Sequence, residues 1–476
     1  MKDLLVYPLQ TPTAYYLFDA NRDQIFETDW EIIDYVEEKT IAISESDRIR
    51  EEIARLNKQG YLLQGRIKKI RHPYTDEIER KLNGYITSIC LQLTQNCNLR
   101  CAYCPYSSDG VDARERGHAN LRMTEDTAYH AIDFLADHAI YSDSVVIGFY
   151  GGEPLLEYQL IKKIVHYAQK KLEGKKINFN FTTNGTLLTR EVGDFLAENN
   201  VYCMISVDGP EEIHDRNRKY SDENVGSFEI LKNNLIDLLE RHPQYKEKLS
   251  FSTVLDARNG FDDIDALFKT EPFRDIRVDP STIDTTYING SEFNISEKYI
   301  IENTYRGFLM LLWMMGRLNK KYISPIFYTS RDKFMEKISN WNGMKRLPEV
   351  SAPSGPCLPG YNRLFCTVDG TLLPCERVGE KSKIMRIGDI YKGFDYNQIS
   401  KILNVAESTA EACKSCWAVV HCTQCIKYAD GGDKIDASLR LAHCEKTKEE
   451  VLHDLRMRLL LREAKSVYHI TAEERG

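Results

Sequence analysis

The sequence predicts an α/β chain built on a partial barrel of six β/α units, with a small mixed module before it and a cysteine-rich domain after it. Three observations carry this reading. Between residues 85 and 310 six short β-type runs alternate with helical runs, the pattern of βαβ units around a parallel sheet. Residues 1–75 hold three short strands and two helices with no barrel-like repeat. Eight of the thirteen cysteines fall between Cys357 and Cys444, in a stretch poor in long periodic elements. A small core of that kind needs metal to hold it.

In the first module LLVYPL, AYYLFDA and QIFETD read as strands bounded by turn residues. A helix follows, capped at Thr28-Asp29 and running through WEIIDYVEE. The second helix, ESDRIREEIARLNKQ, stops at Gly60. Three strands and two helices make a winged-helix-like unit, and the charged run IKKIRHPYTDEIERK connects it to the barrel. The barrel strands are SICLQLT, SVVIGFY, INFNFTTN, VYCMISVDG, LSFSTVL and IRVDPST, separated by helices such as EDTAYHAIDFLADHA and EYQLIKKIVHYAQKKLE. Reactive groups are expected at the C-terminal ends of such strands. Residues 311–356 form a bridging region, 357–450 the cysteine-rich domain, and 451–476 continue a C-terminal amphipathic helix.

Composition removes several classes of function. Net charge is −8 with both signs interleaved, so no basic stripe offers itself to nucleic acid. No apolar run reaches the roughly 18 residues of a membrane span. MKDLLVYPLQTP has no signal-like apolar core, so a cytoplasmic protein is expected. Thiols there stay reduced, and clustered cysteines point to metal rather than disulfides.

The first cluster is CNLRCAYC, with Cys97, Cys101 and Cys104 just past the first barrel strand. Three thiolates on one loop serve three irons of a cubane and leave the fourth open. The competing reading is zinc, which prefers four protein ligands, and no fourth stands at finger spacing. Three further motifs follow at strand ends. In GFYGGEP, Gly151 and Gly152 allow close backbone approach and Glu153 can accept from an ammonium group, although a GG-acid turn is also an ordinary strand end. TTNG places Thr183 and Asn184, and ISVDGP places Ser206, which shares a strand face with Met204 and Asp208 opposite Cys203. Arg218 ends HDRNR, suited either to a carboxylate or to a surface ion pair.

With Tyr103 in its aromatic slot, the loop resembles the CxxxCxΦC motif of the radical S-adenosylmethionine (SAM) superfamily. The resemblance implies a [4Fe–4S] cluster on Cys97, Cys101 and Cys104 whose open iron chelates the cofactor. It also implies cofactor contacts from Tyr103, Gly151, Gly152, Glu153, Thr183, Asn184, Ser206 and Arg218, the last two toward ribose and carboxylate.

The second cluster runs Cys357-x12-Gly370-x4-Cys375, then Cys413-x2-Cys416-x5-Cys422-x2-Cys425, then Cys444. It is similar to the SPASM domain of peptide-modifying radical enzymes, except that two residues rather than three separate Cys422 and Cys425. Paired zinc ribbons are the alternative. The resemblance implies two auxiliary [4Fe–4S] clusters, three clusters in all. Cys413, Cys416, Cys422 and Cys444 would hold the outer one, and Cys357, Cys375 and Cys425 the inner one. RLFCTVDGTLLPC reads as a hairpin turning at Asp369-Gly370. That register sets Cys366 opposite Leu373 and on one face with Cys375, about 7–8 Å away, so Cys366 is expected as a fourth inner ligand. The other version leaves an iron open for a substrate thiolate. Cys90 and Cys203 remain, read as buried core thiols. Glu376 follows Cys375 where resembling sulfatase-maturating enzymes carry a carboxylate base; it is either that base or the partner of Arg377.

The N-terminal module resembles the element that binds leader peptides of ribosomally made, modified peptides, with a sheet edge open to an added strand. With PCLPGYNRLF and DGTLLPCERVGE, the chain looks like the Cys-rich peptide (ranthipeptide, freyrasin-type) maturases. This resemblance implies a radical SAM enzyme forming thioethers between cysteine sulfur and carbon. Its partners would be a Cys-rich precursor bound through its leader and a flavodoxin- or ferredoxin-type electron donor. A carbon–carbon crosslink or formylglycine is the alternative outcome, and a non-enzymatic iron–sulfur or zinc regulator is the alternative class.

Overall fold

The computed structural model describes residues 4–37, 47–64, 67–104, 118–222, 225–283, 294–341, 343–344 and 346–468. The chain forms two compact units. One is assembled from residues 1–78, 336–358 and 399–476. It opens with β1 (Val6–Gln10), β2 (Tyr15–Asp19) and β3 (Gln24–Thr28), an antiparallel sheet in that order. Next come α1 (Trp30–Val36), entered from Asp29, and α2 (Asp47–Lys58), which ends before Gly60 at φ +90°. These are the elements the sequence predicts, but they do not make a free-standing module. Strand periodicity sends Leu17 toward Ile32, Ile49 and Leu56 of the two helices. Tyr16 and Phe18 pack on the opposite face with Leu347, Val419 and Leu455. β2 is therefore covered on both faces, which explains why YYLF carries no charged residue. β4 (Lys69–Ile70) closes this part.

The other unit comprises residues 79–335 and 359–398. Its six strands β5 (Ser88–Thr94), β6 (Ser144–Gly151), β7 (Lys176–Thr183), β8 (Tyr202–Ser206), β9 (Leu249–Leu255) and β10 (Arg277–Thr282) are all parallel and adjacent in chain order. Helices α3 (Glu125–His138), α4 (Tyr158–Lys171), α5 (Arg190–Glu198) and α6 (Phe228–Arg241) lie between them in sequence. Thr124 caps α3, its hydroxyl accepting from the Thr127 amide. Alternate strand residues, among them Ile89, Leu91, Ile147, Phe179 and Phe251, are almost fully excluded from solvent. Their neighbours Cys90, Asn180, Thr182, Met204 and Ser250 instead line an internal cavity. One face of the sheet is thus oily and the other largely polar, unlike a closed barrel whose interior is packed with branched side chains. Cys203 is buried as expected, whereas Cys90 is only partly buried; both are among the residues lining the cavity.

Helices α7 (Glu297–Met314) and α8 (Ile326–Ser339) follow, and β11 (Val350–Ser351) pairs in parallel with β4. The chain then returns to the barrel sheet. β12 (Leu364–Cys366) runs parallel to β5, and β13 (Thr371–Leu373), β14 (Gly388–Asp389) and β15 (Gly393–Phe394) extend the sheet to ten strands. The long α9 (Cys444–Tyr468) ends the described chain. Among the described residues no helix is long and apolar enough to cross a membrane.

The hairpin register differs from the expected one. Phe365 faces Leu373 and Cys366 faces Leu372. The loop holds three residues rather than two: the Thr367 amide donates to the Thr371 carbonyl at 3.0 Å, and Gly370 takes φ +88°. One residue of slip reverses every face, so the parity that joined Cys366 to Cys375 is gone. Cys366 is fully buried, its thiol donates to the Thr367 carbonyl at 3.7 Å, and burial pushes that thiol well above its ordinary pKa. It behaves as a packing residue. Cys366→Ala is expected to keep its full iron content and to cost about 1–2 kcal/mol through the cavity it leaves. Iron per chain and the denaturant midpoint measure both, and loss of a cluster's worth of iron would restore Cys366 as a ligand.

Candidate active site

The loop after β5 is pinned by the backbone that follows β8. The Arg100 amide donates to Lys219 O and the Ala102 amide to Asn217 O, each at 2.9 Å. Cys97, Cys101 and Cys104 consequently line one cavity of about 350 Å³, together with Gly152, Ser206 and Arg218. Burial, helped by neighbouring Cys104, pushes the Cys97 and Cys101 thiols up to about 12. Cys97 Sγ also faces donors, the Leu99 amide at 3.4 Å and Asn184 Nδ2 at 3.9 Å. Three crowded, soft sulfurs with N–H donors aimed at one of them fit an iron–sulfur cluster, whose cationic irons replace the thiol protons. Among the described residues, none of the thirteen cysteines is joined in a disulfide.

Gly151 and Gly152 serve the chain itself. A Cβ on Gly151 would lie 2.0 Å from Thr94 O, and one on Gly152 2.1 Å from Asn96 O. The strand end presses on the cysteine loop there, through Gly152 N to Thr94 O at 2.9 Å and Glu153 N to Asn96 O at 3.0 Å. The Glu153 carboxylate is buried and accepts from the Leu155 amide (3.0 Å), the Thr183 hydroxyl (2.7 Å) and the Asn184 amide (2.8 Å). Burial still holds it up at about 7. Glu153 and Thr183 therefore brace the ends of β6 and β7, and both also line the cavity. Asn184 extends the brace, donating to Asn98 Oδ1 at 2.8 Å.

Arg218 is buried, as is its partner Asp208, and the two form a bidentate pair at 2.9 and 3.1 Å. The Tyr103 hydroxyl donates to the same carboxylate, and the guanidinium lies 5.4 Å from the Tyr103 ring centre. Burial raises the Tyr103 pKa well above its usual value, so this phenol remains a donor. The ion pair is real but internal, with Arg218 still on the cavity wall. Ser206 pairs in register with Ser252, and both line the cavity. Asp208, Asn98, Ser252 and Thr182 are the residues sequence reasoning missed. Strand parity was the signal for Thr182: the neighbours Asn180 and Thr182 share the cavity side of β7.

A second cavity of about 930 Å³ lies against the same strands, and Tyr150 and Thr182 line both. Glu376 is on its wall, 2.5 Å from Arg363 and 3.6 Å from Arg377. A further carboxylate, Glu380, accepts from Gln92 Nε2 at 2.8 Å and Gln95 Nε2 at 3.1 Å, close to the cysteine loop.

In the other unit Cys413, Cys416, Cys422 and Cys444 come together: burial raises the Cys416 and Cys422 thiols, with smaller contributions from Cys422 and Cys413 on Cys416 and from Cys413 and Cys444 on Cys422. Cys357 and Cys425 belong to that unit, while Cys366 and Cys375 belong to the barrel unit. Among the described residues no three His, Cys, Asp or Glu side chains converge on a single-ion site.

Residues 91–238 match the family model described as the Radical SAM superfamily. The chain is 28% identical over 201 residues to the radical SAM cyclopropyl synthase TigE of Paramaledivibacter caminithermalis, 40% of this chain and 40% of that protein. It is 24% identical over 370 residues to a cysteine-type anaerobic sulfatase-maturating enzyme of Clostridium perfringens strain 13, 75% of this chain and 92% of that one. A solved structure of anSMEcpe with bound AdoMet superposes with a TM-score of 0.57 at 20% identity, over 79% of this chain and 99% of that one. The cysteine loop and the Asp208–Arg218 pair both fall within the matched residues, so the chain carries a radical SAM domain and is homologous to anaerobic sulfatase-maturating enzymes and to TigE.

Proposed function

We propose that this protein is a radical SAM maturase that forms thioether crosslinks from cysteine sulfur to carbon in a ribosomally made, Cys-rich peptide. The observation that carries it is the pair of cavities sharing Tyr150 and Thr182: one holds the three-cysteine loop, and the other is large enough for a peptide segment and carries Glu376. Cys97, Cys101 and Cys104 hold one [4Fe–4S] cluster, and the Ser206–Ser252 hydroxyls with Arg218 bind SAM. The remaining SPASM-type cysteines hold two auxiliary clusters. When bound, these groups supply the radical that removes a hydrogen atom and the sink for the surplus electron of carbon–sulfur bonding. The chain does the rest. Glu376 takes the substrate thiol proton, and Arg363 and Arg377 hold that carboxylate in place. Residues 1–75 bind the precursor leader along the β1–β3 sheet.

The test is anaerobic incubation of reconstituted protein with SAM, a reductant and a Cys-rich precursor, followed by mass spectrometry. Each crosslink removes two hydrogens and one alkylatable thiol. A leaderless precursor is expected to bind more weakly while uncoupled SAM cleavage continues. Glu376→Gln is expected to lower crosslinking at least tenfold with SAM cleavage intact; near-normal turnover would remove Glu376 from the chemistry. The homology to TigE and to sulfatase-maturating enzymes favours one second reading, a carbon–carbon bond or formylglycine. A product that loses two hydrogens yet keeps every alkylatable thiol, or one that loses sulfur from a cysteine, would establish that reading instead.

A further inference from the structure

Arg440 is among the largest fully buried side chains of the protein, 2% exposed. Its guanidinium is permanently charged, and a buried charge without a counter-charge is costly. Among the described residues no carboxylate pairs with it. Nε donates to Thr409 Oγ1 at 3.2 Å and Nη1 to the Gln424 carbonyl at 3.5 Å, both neutral acceptors. Each of these two residues in turn reaches a cysteine sulfur: Thr409 Oγ1 is 3.4 Å from Cys413 Sγ, and Gln424 Nε2 donates to Cys444 Sγ at 3.6 Å. Gln424 Oε1, buried, has no partner of its own. The neighbouring cation Lys448 differs, because Glu445 neutralises it at 2.8 Å and it is one-third exposed.

We propose that Arg440 is the counter-ion of the iron–sulfur cluster held by Cys413, Cys416, Cys422 and Cys444, and that it sets that cluster's reduction potential. The inference rests on the reading that these four cysteines hold a cluster. Four thiolates around an oxidised cubane leave two net negative charges, and reduction makes three. The buried cation supplies the missing counter-charge and favours the reduced state. Through Arg440 the Thr409 hydroxyl is polarised as a donor to Cys413 sulfur, which acts in the same direction. Arg440 is a positioning and tuning residue and touches no substrate.

The test uses the full-length reconstituted chain as wild type, Arg440→Met and Arg440→Lys, with iron per chain and a paramagnetic-resonance redox titration of the auxiliary signals. Arg440→Met is expected to shift the reduction equilibrium of the outer cluster about tenfold against reduction, about 59 mV for one electron. Arg440→Lys, which keeps the charge, is expected to stay nearer wild type. Loss of outer-cluster iron in the Met variant alone also supports the counter-ion role, since charge then decides retention. An unchanged potential in a fully loaded Met variant overturns it. Iron loss in both variants overturns it too, because shape rather than charge then matters. If Cys413→Ala in the otherwise wild-type chain loses no iron, the underlying cluster assignment has failed, separately from Arg440.

Discussion

A protein with Cys97, Cys101 and Cys104 all replaced by alanine is expected to form no 5′-deoxyadenosine above a protein-free control. The three sulfurs share one cavity with the Ser206 and Arg218 side chains, so the proposed electron source and the proposed cofactor site lie together. Without thiolates no cluster forms there, and no electron reaches the cofactor sulfonium. Iron content should fall by about four per chain, the complement of one cubane, with the auxiliary complement retained. Folding should be nearly unaffected. The loop is held by Arg100 and Ala102 backbone bonds and by Asn98, none of which involves sulfur. Liquid chromatography of the nucleoside product gives the answer directly. Continued SAM cleavage by the triple variant would mean that the radical originates elsewhere.

Gly152→Ala is expected to be severely damaging for a single added methyl group. The added Cβ would meet Asn96 O at 2.1 Å and Asn96 C at 2.5 Å, both backbone atoms that no rotamer change can move aside. Relief requires the strand end to part from the cysteine loop. That breaks Gly152 N to Thr94 O and Glu153 N to Asn96 O, and it draws the Glu153 carboxylate from Thr183 and Asn184. Overpacking of this kind costs about 1–3 kcal/mol, and each buried hydrogen bond left open costs a similar amount. A loss of about 3–5 kcal/mol in unfolding free energy is expected, with failure to load the first cluster. Gly307→Ala is the control: it lies in α7, nothing stands within 4 Å, and a helical Ala is favoured by up to about 1 kcal/mol. Equal effects of the two substitutions would refute the packing argument.

What was legible in the sequence was what local pattern encodes. β5 and β9 coincide with SICLQLT and LSFSTVL because β-rich residues end at clear breaks. The cysteine loop was legible because three thiols within eight residues have few uses. Arg218 was found, but its binding to Asp208 was not, since ten residues of turn and helix separate them and only the fold closes that distance. The GGE turn was read toward a ligand; its glycines and carboxylate line the cysteine cavity, and the sequence did not show that they also hold β6 against its own neighbours. The hairpin failed on one residue of loop length, because Asp-Gly suits both a two-residue turn and the end of a three-residue one. The shared core of the first strands and the last cysteines left no local trace. Phe18 and Val419 are each ordinary apolar residues, and their meeting is a tertiary event.

That shared core governs the timing of biosynthesis. The barrel strands β5 to β10 are consecutive in the chain, so a ribosome delivers them in the order in which they pair. The N-terminal sheet emerges first, yet one face of β2 must wait for Leu347, Val419 and Leu455, more than three hundred residues later. Until then Tyr16 and Phe18 are exposed on a nascent chain, a surface for chaperones to shield. Assembly of the outer cysteine set belongs to the same late moment, because Cys413 and Cys416 pack against that very core. Nascent chains halted before residue 400 would carry a complete barrel sheet beside an unfinished first sheet.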